Sequence, residues 1–122
     1  MANRILGFVN APSLVQRLVM KCAFSKVKVD IYQERRDILC KILDEAGISY
    51  VKPKGGLFIF PYVGMDDIAF CEHLKKWGIL VVPGRGFGKS NHVRLSLCVP
   101  SEKLQALREP FLSAISELRA RA

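Results

Sequence analysis

The stretch from His92 to Val99 alternates strictly: Val93, Leu95, Leu97 and Val99 point to one side, and Arg94, Ser96 and Cys98 to the other. A period of two is a strand with one apolar face and one polar face. It is bounded by the glycine-rich PGRGFGK before it and by Pro100 after it, so it cannot extend in either direction. Such a strand needs partner strands for its backbone and helices to cover its apolar face.

The rest of the chain supplies both. Asn10 or Ala11 is placed to cap a first helix that has Pro12 in its first turn and Leu14, Val15, Leu18, Val19 and Cys22 at helical spacing, ending near Ala23. Asp30 with Gln33 forms a capping-box variant that opens a second helix, whose Ile31, Ile38, Leu39, Ile42, Leu43 and Ala46 share a face and whose end is Gly47. Ile48 to Lys52 and Leu57 to Tyr62 read as two strands joined through Pro53 to Gly56, in a hairpin or a tight change of direction. Asp66 and Asp67 open a third helix that turns Ile68, Cys71, Leu74 and Trp77 inward and stops at Gly78. Ile79 to Val82 is a short buried strand. After Pro100, Ser101 caps a last helix with Leu104, Leu107, Phe111, Ile115 and Leu118 on one face, and Pro110 is expected to kink or restart it. The fold class that follows is α+β, a small, mostly antiparallel sheet packed against helices, with no internal repeat and no linker.

At 122 residues the chain is expected to be a single domain, 1–122, with a real core but little room for a deep enzyme pocket. Half of it is hydrophobic, which excludes intrinsic disorder. A net charge of +8 raises the prospect of an anionic partner, yet the basic residues are scattered in pairs such as Lys26/Lys28 and Lys75/Lys76 rather than gathered in a stripe. That scatter argues against nucleic acid as a partner, for which clustered cations with stacking aromatics are the usual footprint. A stand-alone basic α+β module for an acidic partner or RNA is the alternative reading. Cys22, Cys40, Cys71 and Cys98 are far apart and lack metal-ligand spacing, so they read as buried thiols of a reduced cytosolic protein, with no metal expected. No apolar run reaches the length of a membrane span, and a cytoplasmic protein with no membrane partner is expected.

PGRGFGK resembles phosphate-cradling loops only superficially, because a strand and not a helix follows it; it reads as a connection whose glycines need unusual backbone angles. His73 and His92 have no acidic or cysteine partner at ligand spacing and read as surface residues. Asp44/Glu45 and Asp66/Asp67 are adjacent carboxylates that diverge on a helix, and they read as helix-end charges. Arg94 is different. A charge in the middle of VRLSLCV either faces solvent or meets a fixed anion, and pattern alone leaves both readings open.

Taken together, GFVNAPSLVQ, KGGLFIFP, WGILVVPGRGFG and HVRLSLCVP, in that order and spacing, resemble the C-terminal part of a class I/II, fold-type I pyridoxal-phosphate-dependent aminotransferase, similar to the aspartate aminotransferases. The resemblance runs from about Asn3 to the C-terminus. It implies the small domain of such an enzyme, with Arg94 binding the α-carboxylate of an amino-acid or 2-oxo-acid substrate and with Phe87 and Gly56 shaping its surroundings. It also implies pyridoxal phosphate as cofactor and a homodimer in the intact enzyme. The Schiff-base lysine, the aspartate for the pyridine nitrogen and the phosphate cup belong to the family's large domain, and none is matched here; Lys26 follows a serine but lies after the NAP segment instead of before it. The resemblance therefore implies a C-terminal fragment without the large domain, inactive alone, with no catalytic residue, bound cofactor or metal of its own. Residues that read the substrate side chain would lie mostly elsewhere, so the amino acid is not specified.

Overall fold

The computed structural model describes residues 12–26 and 28–120. Helix α1 runs Ser13–Cys22 and helix α2 Val29–Glu45. Strand β1 is Phe58–Ile59, helix α3 is Asp67–Lys76 and strand β2 is Val82–Pro83. A single 3-10 turn, Gly84–Phe87, leads to strand β3, Val93–Ser96, and helix α4 spans Ser101–Ala120. The α+β expectation holds: the three strands form one antiparallel sheet in the order β1-β3-β2.

The alternating strand is the centre of that sheet, with Phe58 opposite Ser96 on one side and Val82 opposite Arg94 on the other. Its Val93, Leu95 and Leu97 are buried together with Ile59, Leu43 of α2, Leu74 of α3 and Phe111 of α4. Helices α2 and α4 pack most extensively on one another, and α3 bridges α4 and the β2 edge. Burying one such aliphatic or aromatic side chain contributes about 1.5–3 kcal/mol, so this single apolar layer is what holds the sheet to the helices.

The helix ends follow from local chemistry. Gly47 takes φ +62°, a left-handed conformation that only glycine adopts without cost, and its N–H donates to Asp44 while that of Ile48 donates to Leu43. The same pair of bonds closes α3 at Gly78 and Ile79. Asp66 caps α3 by accepting from the Ala69 N–H at 2.9 Å.

Several sequence expectations are corrected. Lys28, not Asp30, occupies the N-cap position of α2, and Asp30 sits inside the first turn without a capping bond. Asn10 and Ala11 lie outside the described residues, and Pro12 precedes α1 at its cap position. Residues 48–52 do not form a ladder with β1; Ser49 makes one bridge to Tyr62, and β1 pairs with β3 instead. In α3 the buried face is Phe70, His73 and Leu74, whereas Ile68 is 44% exposed and Trp77 is exposed too. Leu80 is 82% exposed, so the segment expected as a buried strand becomes regular only at Val82. Helix α4 runs through Pro110 without restarting. Cys22 and Cys98 are exposed and Cys71 is partly so, leaving only Cys40 as a buried thiol; all are free.

Candidate functional site

The polar face of β3 carries one guanidinium, and the fold surrounds it with rings. Arg94 Cζ lies 4.4 Å from the centroid of the Phe58 ring and 4.3 Å from that of Phe87. Phe58 reaches it diagonally across the ladder, since its direct partner is Ser96 and diagonal neighbours are within reach of long side chains. Phe87 comes from the last residue of the 3-10 turn. Beyond it, Phe60 meets Phe87 edge-on at 6.3 Å and stacks on His92 at 5.3 Å, and His92 also touches Tyr62 at 5.2 Å.

Arg94 is half-buried, and among the described residues no carboxylate or carbonyl forms an ion pair or hydrogen bond with its guanidinium. Cation–π contact satisfies the faces of the fork but none of its N–H donors. A planar fork held against rings with its donors free matches a carboxylate in two parallel hydrogen bonds. Of the two readings that the alternation left open, the one with a fixed protein anion has no such anion among the described residues.

The 3-10 turn that brings Phe87 here is tightly seated. A Cβ on Gly84 would stand 2.4 Å from the Lys89 carbonyl oxygen and 2.6 Å from that of His92, so only glycine lets the turn approach β3 this closely. Gly86 meets nothing within 4 Å, and Gly88 is the one glycine of the loop with positive φ, at +77°. Asp67 accepts the Arg85 backbone N–H at 2.9 Å on one oxygen and Arg85 Nε and Nη2 at 3.0 and 2.8 Å on the other. Arg85 Nη2 also reaches Asp66. The Arg85 contact holds the Asp67 carboxyl well below the usual aspartate range. Asp67, read from sequence as a helix-end charge, is thus a 0% exposed ion-pair partner. The signal was present in Arg85 of PGRGFGK, but nothing in the sequence says that it folds back onto α3.

Gly56 lies apart from this cluster. It adopts φ +83° in the exposed turn before β1 and lines a groove of about 310 Å³ together with Tyr32, Arg36 and Leu57. Its neighbour two residues on, Phe58, is the one that reaches Arg94. His73, expected at the surface, is 7% exposed, with Nε2 at 2.9 Å from the Ala114 carbonyl oxygen, where it ties α3 to α4. His92 is half-buried in the aromatic row, with Nδ1 at 2.8 Å from the Ser90 carbonyl oxygen. Among the described residues no cluster of side chains has the makings of a metal site, and no helix is long and apolar enough to cross a membrane. Among the described residues, the groups in contact with the Arg94 guanidinium are the rings of Phe58 and Phe87, with no lysine amine among them. That arrangement fits a carboxylate and does not fit pyridoxal phosphate as a resident group.

Comparison with known proteins places this arrangement in context. A family model described as aminotransferase class I and II matches residues 3–111. The aspartate/prephenate aminotransferase of Thermus thermophilus is 33% identical over 92 residues, 73% of this chain and 24% of that protein. The LL-diaminopimelate aminotransferase of Dehalococcoides mccartyi is 41% identical over 80 residues, covering 62% of this chain and 21% of that protein. A solved amino transferase from Eubacterium rectale superposes with a TM-score of 0.84 at 35% identity, covering 95% of this chain and 29% of its own. The chain thus spans about a quarter of the length of the curated relatives it matches.

Proposed function

The chain belongs to the class I and II aminotransferases, and from that premise we propose that it forms the substrate-carboxylate-binding part of a pyridoxal-phosphate-dependent amino-acid aminotransferase. In this reading residues 1–122 form the small domain, while the cofactor's anchors and the base lysine are supplied by the family's large domain and a second subunit completes the dimer. The overall reaction is exchange of an amino group between an amino acid and a 2-oxo acid. No bond is broken by a residue of this chain.

The single observation that carries the reading is Arg94, whose guanidinium lies over the rings of Phe58 and Phe87 with no anionic partner among the described residues. In transamination both substrates carry a carboxylate next to the reacting carbon. A bidentate clamp on that group fixes the orientation of the carbon and turns an encounter into a positioned one, which is where a binding residue contributes to rate. Phe87 and Phe58 exclude water from the faces of the fork, which strengthens its hydrogen bonds to the carboxylate. Gly56 contributes the shape of the turn that delivers Phe58.

The test is titration of the chain with succinate, followed at the Arg94 side chain by heteronuclear NMR, against Arg94→Ala and Arg94→Lys. The expected result is saturable perturbation of Arg94, lost in Arg94→Ala and weakened in Arg94→Lys, which cannot offer a planar fork. Both variants should stay folded, since Arg94→Ala removes only ring contacts worth about 1 kcal/mol. Equal succinate binding by Arg94→Ala would overturn the assignment.

A further inference from the structure

Asp67 poses a question that carboxylate binding by Arg94 does not answer. A fully buried carboxylate is costly unless paired, and an apolar residue of similar size usually serves stability as well or better. Here the charge is not spent on the core. Its two oxygens take three donors from one residue of the 3-10 turn, the Arg85 backbone N–H, Nε and Nη2, while Asp66 takes a further contact from the same Nη2. The N-terminus of α3 and the turn are therefore clamped at both backbone and side chain.

The turn is pinned on its other side as well. Gly84 packs against the Lys89 and His92 carbonyls, and its N–H donates to the His92 carbonyl at 2.7 Å. Between Gly84 and Gly88 the chain has little freedom left, and Phe87 leaves it at the point where the ring covers Arg94 at 4.3 Å. Phe87 itself is half exposed, with the T-shaped contact to Phe60 and the contact to Arg94 as its ring partners. Neither contact is strong enough to hold a surface ring in one place, so its position is set by the backbone beneath it.

We propose that the Asp67–Arg85 clamp is a positioning device for the anion site: it fixes the Gly84–Phe87 turn so that Phe87 holds the Arg94 fork edge-on to an incoming carboxylate. The inference rests on the reading of Arg94 as a carboxylate site and adds two positioning residues to it, neither of which touches the ligand. A fork that is already oriented loses less conformational freedom on binding than a free arginine, so the clamp acts on affinity through pre-organisation.

The experiment uses the 122-residue chain and two variants. Asp67→Leu/Arg85→Met removes both charges at once and leaves no unpaired carboxylate buried; Arg85→Lys keeps the charge opposite Asp67 but loses the fork. In the parent, the Arg94 side-chain protons are expected upfield of their usual position, because the guanidinium lies over two rings. The double variant is expected to keep a dispersed amide spectrum, to lose about half or more of that ring-current shift, and to bind succinate about tenfold more weakly. Arg85→Lys is expected to fall between the two.

A folded double variant with the parent's Arg94 shift and the parent's succinate affinity overturns the inference, and if the double variant does not fold, an unchanged Arg94 shift in Arg85→Lys does so. The shift is read without ligand. A clamp-dependent shift in a chain that takes up no succinate at Arg94 would therefore overturn the carboxylate site, and with it the positioning role, while leaving the mechanical coupling measured.

Discussion

At the residue scale, Arg94 differs from Arg108, Arg36 and Arg85 in the company its position brings, and from Arg35, which lies over the Tyr32 ring at 5.5 Å, in meeting two rings. Arg108 pairs with Glu45, Arg36 with Asp37 and Arg85 with Asp67, so each spends its donors within the protein. Arg94 spends only its faces. The glycines of the neighbouring loop separate in the same way by what surrounds them. Gly84→Ala is expected to lower the unfolding free energy by about 1–3 kcal/mol, since the new Cβ would push against two backbone carbonyls that cannot yield cheaply. Gly86→Ala has open space and no positive φ, and it should leave stability unchanged or raise it by up to about 1 kcal/mol. Chemical denaturation of the two variants side by side checks this, and equal losses would contradict the seating of the turn.

Between elements, the contact that links α3 to the 3-10 turn is electrostatic and therefore pH-dependent in a defined direction. The Asp67 carboxyl is held below its ordinary value of 3.8 chiefly by the Arg85 side chain, with the Arg85 backbone N–H acting in the same sense. A group whose folded-state value is depressed stabilises the fold above its unfolded value, and that contribution is lost as pH falls toward the folded one. The stability advantage of the parent over Asp67→Asn should accordingly be full near neutrality and shrink over about pH 5 to 2. Asp37 is also depressed, by Lys52 and Arg36, and cancels in the difference; Asp66, depressed chiefly by the Ala69 N–H, shares Arg85 with Asp67 and is raised by its charge, so its shift deepens in the variant and offsets part of the change. Urea unfolding of the pair across that range tests the sign. A difference that grows on acidification would mean that Asp67 is not the charged partner described.

For the whole molecule, the distribution of apolar surface matters most. None of the residues of α1 is buried: Leu14 is 77% exposed, and Val15, Leu18 and Val19 lie open beside it. An amphipathic helix in this state exposes a patch that monomeric proteins usually cover. The isolated chain should self-associate through this face in a concentration-dependent way, and Leu14→Gln with Leu18→Gln should suppress association without altering the core, because neither residue touches it. Sedimentation over a concentration series decides the matter. A parent that stays monomeric at high concentration, or a variant that associates equally, would show that the face is not the contact.

Patterns of period two and 3.6 with glycine and proline punctuation were enough to read the helices, the central strand, the helix stops at Gly47 and Gly78 and the α+β class, because those features depend on neighbours a few residues apart. Arg94 was legible as an anomaly for the same reason, a charge in the middle of an alternating strand. What only the tertiary structure decided depends on residues brought together from far along the chain. Phe58 flanking Arg94, Arg85 folding back onto Asp67, His73 buried against Ala114 and β1 choosing β3 over residues 48–52 are all such contacts. The errors on α3 show the physical reason. Its sequence allows more than one apolar stripe, and Phe70 and His73 joined the correctly read Leu74 inside rather than Ile68, because α4 and the sheet lie on that side. A sequence states which side chains prefer burial; the packing of the other elements determines which of them obtain it.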